Sequence, residues 1–254
     1  MDRLEFFKKY AIDENEFDKL NISWDCLSAI YDEYSDNLHV YEDTARRLAE
    51  ALNNEKSIHS IKYRIKDGEH LIEKIIRKSA QDPAFLATYS QYKKNVKDLI
   101  GLRALHLFKE EWVSIHNYLA ANWEFYTTPR ANYKKGDTSA LLDMYSSMGC
   151  GLNEHKFGYR SVHYHILVKP GQEEMVAEIQ VRTLFEEAWS EIDHYIRYGS
   201  KREIDQAEQY LGILNNITSN ADALASFINK MDAAGTPDNT RLNVREIYKK
   251  ARNV

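Results

Sequence analysis

Two segments decide the fold of this chain: residues 158–168, GYRSVHYHILV, and residues 177–194, AEIQVRTLFEEAWSEIDH. In the second segment, polar and apolar residues alternate, as they do along a half-buried strand. Glu178, Gln180 and Arg182 therefore lie on one face of this strand, and apolar residues lie on the other. A carboxylate, an amide and a guanidinium are thus expected to project together, although polar residues on one strand face can also simply face water.

The first segment has the same alternation and argues against a merely solvated surface. Tyr159, Ser161, His163 and His165 share one parity, after a glycine that permits a close backbone approach. Residues 169–172, KPGQ, have the composition of a turn, so the two strands are expected to form a hairpin. Their polar faces then coincide in one patch, whose chemistry suits a charged ligand that carries a ring.

The composition is that of a folded protein with a sizeable core. The chain has 254 residues, of which 43% are hydrophobic. The formal net charge of −5 argues against a generally basic coat for nucleic acid, while 34 Lys and Arg residues leave room for a local basic cleft.

Cysteine usage and hydropathy indicate the cellular compartment. Cys26 and Cys150 are far apart in sequence and form no C-x-x-C pair, so no disulfide framework or zinc knuckle is expected. The N-terminal sequence MDRLE lacks the pattern of a signal peptide, and no window approaches the length of a membrane span. We expect a cytoplasmic protein with no membrane contact.

Hydrophobic periodicity predicts a mixed α/β fold of the α+β type around the hairpin. We expect a mixed sheet of about five strands flanked by helices, with helical extensions at both ends. The predicted divisions are an N-terminal helical extension over 1–56, a central domain over 57–200 and C-terminal helices over 201–254. The predicted strands are 58–66, 98–108, 123–133 and the two hairpin strands. The predicted helices are two within 13–55, one that begins at Asp67-Gly68, 83–97, 111–121, one that begins at Thr183, 203–231 and a short charged helix at the end of the chain.

Three further expectations concern the segments around the hairpin. Residues 134–151 are rich in Gly, Ser and Asp, so they are expected to form a mobile loop. Phe185, Trp189 and Ile192 follow a capping box at helical spacing, and Phe185 and Trp189 are expected in the core. The helix over 203–231 carries an apolar series of Tyr210, Leu211, Leu214, Ile217, Ala221, Leu224 and Phe227.

A basic group follows the first predicted strand. Arg64 and Lys66 lie at the end of that strand, and Lys74 and Arg77 lie on one face of the next helix. Phosphate chains need several such cations, because Arg and Lys bind phosphoryl oxygens and Arg also stacks on bases. The competing explanation is an ordinary solvated basic face.

Two carboxylates, Asp98 and Glu178, lie beside apolar strands. Magnesium prefers oxygen ligands and is usually held by one or two carboxylates together with substrate phosphates, so this pair suits a nucleotide-transfer site. Structural ion pairs with Arg103 or Arg182 are the alternative explanation. Asp98 and Arg103 have opposite strand parity, so they share a face only if Gly101 marks a bulge.

Several other kinds of site are excluded by their missing motifs. His163 and His165, with His155 nearby, invite a zinc interpretation, but the chain has no His-Glu-x-x-His, no cysteine cluster and no His-Asp doublet of the metal-dependent phosphohydrolase kind. It also lacks a Walker-type glycine-rich loop and a G-x-S-x-G elbow.

Four motifs in order resemble the synthetase domain of the RelA/SpoT family, over about residues 57–198. They are RIKDGEHLIEKIIR from Arg64, DLIGLR from Asp98, GYRSVH from Gly158 and EIQVRT from Glu178. The resemblance implies a nucleotidyltransferase-like fold and a small synthetase that transfers the pyrophosphate of ATP to the 3′-hydroxyl of GDP or GTP, making (p)ppGpp. It also implies Mg²⁺ as cofactor, and a homo-oligomer with a possible antitoxin or regulatory partner.

The resemblance assigns roles to the motif residues. Asp98 and Glu178 are expected to bind magnesium and to be catalytic, with Glu178 helping to deprotonate the 3′-hydroxyl. The residues expected to bind ATP are Arg64 and Arg103 at the adenine and Lys66, Lys74 and Arg77 at the phosphates. The residues expected to bind the acceptor are Tyr159 against its base, His163 and Gln180 near its phosphates or ribose, and Arg182.

Phe157 departs from the family pattern, in which a polar step such as Asn-Gly precedes the tyrosine, so it leaves the acceptor open. Some small members of the family are toxins that pyrophosphorylate adenosine nucleotides or the 3′ CCA end of tRNA. A third alternative is an inactive member that senses nucleotides. The acidic net charge disfavours the tRNA alternative.

Overall fold

The structure is a computed structural model that describes residues 1–82, 85, 91–171, 173–199 and 204–233. Six strands in this part of the chain form one mixed sheet in the order β1-β2-β6-β5-β3-β4. They are β1 Ser60–Ile65, β2 Ile100–His106, β3 Phe125–Tyr133, β4 Gly151–Glu154, β5 Ser161–Val168 and β6 Met175–Thr183. The β2/β6 and β3/β4 pairs are parallel and the others are antiparallel. The predicted mixed sheet is confirmed, with six strands instead of about five.

Helices flank the sheet and precede and follow it in the chain, as the sequence predicts. They are α1 Arg3–Tyr10, α2 Glu14–Phe17, α3 Trp24–Asp36, α4 Leu38–Leu52, α5 Gly68–Gln81, α6 Tyr92–Asn95, α7 Trp112–Asn122, α8 Ser139–Ser147, α9 Leu184–His194 and α10 Ile204–Ala233. The Asp67 side chain caps α5 by accepting a hydrogen bond from the His70 backbone N–H at 3.0 Å.

The core lies on the apolar face of the sheet. Leu102, Tyr164 and Ile179, from three adjacent strands, are fully buried in one cluster with Leu27 of α3 and Leu52 of α4. The alternation that predicted the strands places these residues opposite the polar face. The core therefore fills one side of the sheet and leaves the polar residues of β2, β5 and β6 on the other side.

The prediction of a mobile loop over 134–151 was wrong. This segment contains α8 and β4, the strand that adds to the edge of the sheet beside β3. Tyr145 packs edge-on against Trp112, with ring centroids 4.7 Å apart, and Gly149 turns the chain toward β4 with a φ of 81°. Neither element has a strong sequence pattern, because no residue of α8 is fully buried and β4 is four residues long.

Two predicted helices fall partly or wholly outside the described residues. Within the predicted helix 83–97, residues 83–84 and 86–90 are not described, and the described remainder contains the short α6. The short charged helix expected at the end of the chain lies within 234–254, outside the described residues.

The expected burial of Phe185 was wrong, and Ile192, which follows it at helical spacing, is exposed as well. Their exposed fractions are 40% and 44%, while Glu187 on the same helix is 5% exposed. The reason is that α9 packs on the polar face of the sheet. Its inward side chain, Glu187, has to neutralise the charge of arginine side chains there. Trp189 is buried as predicted, and its indole N–H donates to the Leu211 carbonyl oxygen at 2.9 Å, joining α9 to α10.

The apolar series on the long helix lies mostly on its outer face. The inner face of α10 carries Asn215, Asp222 and Ser226, which are 2%, 1% and 7% exposed. Thr183 Oγ1 donates to Asp222 Oδ2 at 2.9 Å, at the junction of β6 and α9. Ile217 and most of its apolar neighbours consequently face outward.

Among the described residues, no helix combines the length and the hydropathy that a membrane span requires.

Asp222 generates a prediction about stability. Burial, together with the nearby Glu186 carboxylate, raises the pKa of Asp222 to about 7. Because this pKa is raised on folding, the folded state loses stability as pH rises from the ordinary aspartate range to about 7. We expect Asp222→Asn to stabilise the protein at pH 8 by on the order of 2 kcal/mol, and to have little effect near pH 4.

Urea unfolding of both proteins at the two pH values measures this difference. The control is Asp143→Asn on α8, where the side chain is exposed. An Asp222→Asn protein no more stable than the wild type at pH 8 would contradict the prediction.

Candidate active site

The predicted hairpin is present, and its polar faces coincide. In the antiparallel β5/β6 pair, His163 lies opposite Gln180 and His165 lies opposite Glu178. The parallel strand β2 extends the same face, because Gly101 pairs with Glu178 and Arg103 pairs with Gln180. The expectation that the carboxylate, the amide and the imidazoles share one patch is therefore confirmed.

A cavity of about 160 Å³ opens on this face. Arg64 of β1 and Arg103 of β2 both line it, as do Glu178 and Gln180 of β6. The other lining residues are Lys62, Tyr63, Gly101 and Leu102. Two guanidinium groups and one carboxylate thus face a space that a planar ring can enter.

Glu178 is held by the imidazoles of the opposite strand. Its Oε1 lies 3.2 Å from His163 Nδ1 and 3.7 Å from His165 Nε2, and Gln180 Nε2 donates to its Oε2 at 2.7 Å. Burial by itself would raise the pKa of Glu178, but the contacts with the two histidines bring it well below the ordinary value. Glu178 is consequently anionic throughout the neutral range.

Asp98 lies in a turn just before β2, so strand parity does not determine where it points. Pairing through Gly101 is regular on both sides, without a bulge. Asp98 Oδ2 lies 3.0 Å from Lys66 Nζ and 2.8 Å from Lys74 Nζ. Burial would raise the pKa of Asp98, but the two lysines lower it below the ordinary value. The structure thus brings three of the predicted site residues into direct contact.

One oxygen of Asp98 has the chemistry of a divalent-cation ligand. Asp98 Oδ1 is buried and has no hydrogen-bond partner, so an anionic oxygen is available at this position. Asp98 lies three residues before Gly101, and Gly101 pairs with Glu178 in the register of β2 and β6. The described residues contain no group of three His, Cys, Asp or Glu side chains that could hold a metal ion.

Arg77, another predicted site residue, pairs with a glutamate of its own helix. It is exposed one turn beyond Lys74 on α5, and its Nε donates to Glu73 Oε1 at 3.1 Å.

Tyr159 precedes β5 and reaches the polar face through its hydroxyl. This oxygen lies 3.0 Å from His163 Nε2 and 3.1 Å from Arg182 Nη1, and it donates to Gln180 Oε1 at 3.4 Å. Burial raises the pKa of Tyr159, which keeps the phenol protonated. The predicted grouping of Tyr159, His163, Gln180 and Arg182 is therefore present as one hydrogen-bonded cluster.

Gly158 sets the path of the chain into Tyr159. Its φ is 75°, and a Cβ atom there would lie 2.9 Å from Lys134 Cδ. Asn215 Nδ2 of α10 donates to the Gly158 carbonyl oxygen at 2.9 Å. A residue with a side chain would strain this turn, so the glycine is required for the position of Tyr159.

Sequence reasoning missed the buried carboxylate beneath the site. Glu187 Oε1 accepts hydrogen bonds from Lys62 Nζ at 3.2 Å and from Arg103 Nη1 at 3.0 Å, while Glu187 Oε2 lies 2.7 Å from Arg182 Nη2. Arg182 is 1% exposed and also bonds with Ser190. Lys62 shares its strand parity with Arg64, so alternation could have placed the lysine on this face of the sheet. An acidic residue within a helix, in contrast, gives no sequence signal that it is buried.

A second, basic cavity of about 340 Å³ is lined in part by the two residues that precede Tyr159. Arg197 covers the ring of Phe157, with the guanidinium carbon 3.7 Å from the ring centroid. The lining residues are Lys134, Lys135, Glu154, His155, Lys156, Phe157, Gly158, Arg197, Glu208, Leu211 and Gly212.

Residues 63–203 match the family model described as the region found in RelA and SpoT proteins, which is more than half of the chain. The chain belongs to the RelA/SpoT family. Among curated proteins it resembles the GTP pyrophosphokinase YjbM of Bacillus subtilis, with 24% identity over 180 residues that cover 69% of this chain and 73% of the relative.

Solved structures of a small alarmone synthetase share this fold. The small alarmone synthetase 1 of Bacillus subtilis matches with a TM-score of 0.63 and 21% identity, over 80% of this chain and 100% of that one. Crystal structures of the same synthetase bound to its product pppGpp and to AMPCPP match with TM-scores of 0.60 and 0.59, at 20% identity each. They cover 78% and 80% of this chain and 97% and 100% of those chains.

The carboxylate beneath the site generates a prediction about this RelA/SpoT domain. Glu187→Gln leaves the buried Arg182 guanidinium without its counter-charge, so we expect a loss of about 3 kcal/mol in the free energy of unfolding. Glu191→Gln is the matched control, because Glu191 also pairs with Arg103 but is 52% exposed. That change should cost less than about 1 kcal/mol.

Denaturant unfolding of the two variants beside the wild type checks the difference. If the two variants are equally stable, Glu187 is not the residue that compensates the buried charge of Arg182.

Proposed function

We propose that this chain is an ATP-dependent nucleotide 3′-pyrophosphotransferase that makes (p)ppGpp from GDP or GTP. Its family membership and its resemblance to a GTP pyrophosphokinase support this function. The observation that carries the proposal is the cavity lined by Arg64, Arg103 and Glu178, together with Asp98, which lies in the turn before β2 and contacts two lysines. A cationic wall and two anionic oxygens are what a triphosphate donor with a divalent ion requires.

The donor site is proposed at the β1/β2 side of this cavity. Arg64 and Arg103 stack on the adenine, since guanidinium planes bind aromatic rings well. Lys66, Lys74 and Arg77 bind the phosphates of ATP. Burial lowers the pKa of Lys66, although Asp98 opposes the effect, so an added phosphate charge would favour its protonated form.

The acceptor site is proposed around Tyr159, whose ring stacks on the base of the acceptor. His163 and Gln180 bind its ribose or phosphates, and the basic cavity beside Phe157 offers room for 5′-phosphates. We assign Arg182 to positioning, because it is 1% exposed and reaches the acceptor side through the Tyr159 hydroxyl.

Asp98 and Glu178 are proposed to hold Mg²⁺, which would neutralise charge on the donor phosphates. The 3′-oxygen of the acceptor forms a bond to the β-phosphorus of ATP, the bond between the α-phosphate and the β-phosphate breaks, and AMP leaves. Such transfers depend mainly on positioning and charge stabilisation. Glu178 accepts the hydroxyl proton, although its low pKa makes it a weak base and favours its role as a metal ligand.

An acceptor panel tests the function directly. The purified protein is incubated with magnesium and ATP labelled at the β-phosphate, together with GDP, GTP, ATP or tRNA. We expect labelled ppGpp and pppGpp, with AMP released in equal amount. Label on tRNA or on an adenosine nucleotide would replace the proposal with the toxin alternative, and label on no acceptor would favour the nucleotide sensor.

Asp98→Asn and Glu178→Gln are expected to lower turnover by at least about 1,000-fold, because each removes one anionic oxygen ligand without changing side-chain volume. The rate of labelled product formation at saturating magnesium measures the loss. Glu69→Gln is the control, since Glu69 lies on the same helix as Lys74 but pairs with Lys9.

Folding of the variants is checked by thermal unfolding and by binding of a non-hydrolysable ATP analogue. A folded Asp98→Asn or Glu178→Gln protein with normal turnover would refute the assignment.

A further inference from the structure

One amide side chain contacts both neighbours of Tyr159. Asn215 Nδ2 of α10 donates to the Gly158 carbonyl oxygen at 2.9 Å, and Asn215 Oδ1 accepts from Arg160 Nη1 at 3.0 Å. Asn215 is 2% exposed, so water competes little for these two hydrogen bonds. The backbone at Tyr159 is therefore held on both sides by a residue of another element.

The residue before Tyr159 needs such a restraint because it is a glycine. Gly158 has a φ of 75°, a conformation that glycine adopts readily and also leaves readily. Its N–H donates to the His155 carbonyl oxygen at 2.9 Å, which is a bond within the same turn. The bond from Asn215 to the Gly158 carbonyl oxygen, in contrast, joins this turn to α10.

The residue after Tyr159 is fixed by an ion pair. Arg160 binds both carboxylate oxygens of Asp137, with an Nε–Oδ2 distance of 2.8 Å and an Nη2–Oδ1 distance of 2.6 Å. Asp137 Oδ2 also accepts from the Lys134 backbone N–H at 2.9 Å, which ties the pair to the segment that follows β3. Because a bidentate pair fixes the plane of the guanidinium group, Arg160 presents Nη1 to Asn215 in a definite position.

The Tyr159 side chain is anchored separately at its far end. Its hydroxyl lies 3.0 Å from His163 Nε2 and 3.1 Å from Arg182 Nη1. These partners belong to β5 and β6, whereas Asn215 belongs to α10. The hydroxyl contacts determine where the tip of the ring lies, and Asn215 determines the backbone from which the ring projects. Both are needed to orient the face of the ring, because a ring held only at its tip can turn about that point.

We propose that Asn215 is a positioning residue for the acceptor: it holds Gly158 and Arg160 so that the ring of Tyr159 is oriented to stack on the acceptor base. The inference rests on the proposed role of Tyr159. A ring that is already ordered loses less conformational entropy when a base stacks on it. Loss of the contacts from Asn215 should therefore weaken acceptor binding and leave the proposed donor site on β1, β2 and α5 unchanged.

Asn215→Asp tests the contact with Gly158. The substitution keeps the side-chain volume and an oxygen for Arg160, but it replaces the amide donor with an oxygen that repels the Gly158 carbonyl oxygen. We expect the KM for the acceptor that the wild type labels, GDP or GTP under the proposed function, to rise by about 10-fold. The KM for ATP should stay within about 2-fold and kcat within about 3-fold of the wild type.

Two further variants complete the kinetic test. Asn215→Ala removes both hydrogen bonds without adding a charge, so it should raise the acceptor KM at least as much as Asn215→Asp does. Asn220→Asp is the matched control, because Asn220 is exposed on the same helix and undergoes the same chemical change. Its KM values for acceptor and for ATP should both equal those of the wild type.

Hydrogen–deuterium exchange, measured by mass spectrometry, tests the same contact without any substrate. In both Asn215 variants, backbone amides over residues 155–161 should exchange faster, while residues 60–76 of β1 and α5 should exchange as in the wild type. An unchanged acceptor KM, an equal rise in the KM for ATP, unchanged exchange over 155–161, or an equal increase over 60–76 overturns the proposal. A wild type that labels no acceptor refutes the proposed function instead, and the exchange over 155–161 then decides by itself whether Asn215 holds this segment.

Discussion

One buried carboxylate joins the helical layer to the polar face of the sheet. Glu187 of α9 compensates cations from three adjacent strands, Lys62 of β1, Arg103 of β2 and Arg182 of β6. A sheet face that presents guanidinium groups cannot be covered by an apolar helix, because unpaired buried charges cost several kcal/mol each. The polar character of the proposed active site therefore determines which face of α9 points inward.

The same constraint extends to α10 and explains its unusual orientation. Asn215 bonds with the Gly158 carbonyl oxygen and with Arg160, next to the loop that carries Tyr159, while Asp222 bonds with Thr183. Polar residues are required on the inner face of α10 because the groups that it covers are backbone carbonyls and charged side chains. Its apolar residues are left outside, where burial requires a further protein surface.

The hairpin could be predicted because alternation in a strand is a local property. The parities of Glu178 and Gln180 on one strand and His163 and His165 on the next determined one face, and the turn between them determined that the faces coincide. Asp98 shows the limit of this reasoning. It lies in a turn, where parity has no meaning, and its contacts with Lys66 and Lys74 arise from the packing of α5 beside β2.

The sequence by itself determined five of the six described strands, the hairpin and the RelA/SpoT motifs, since each depends on residues that are near one another in the chain. Only the tertiary structure decided which faces of α9 and α10 are buried, because a helix pattern shows two faces without showing what each one meets. Phe185 and Leu224 are apolar yet exposed, and Glu187 and Asp222 are acidic yet buried. Their burial follows from the charges and backbone groups of distant strands, which the helix sequences do not contain.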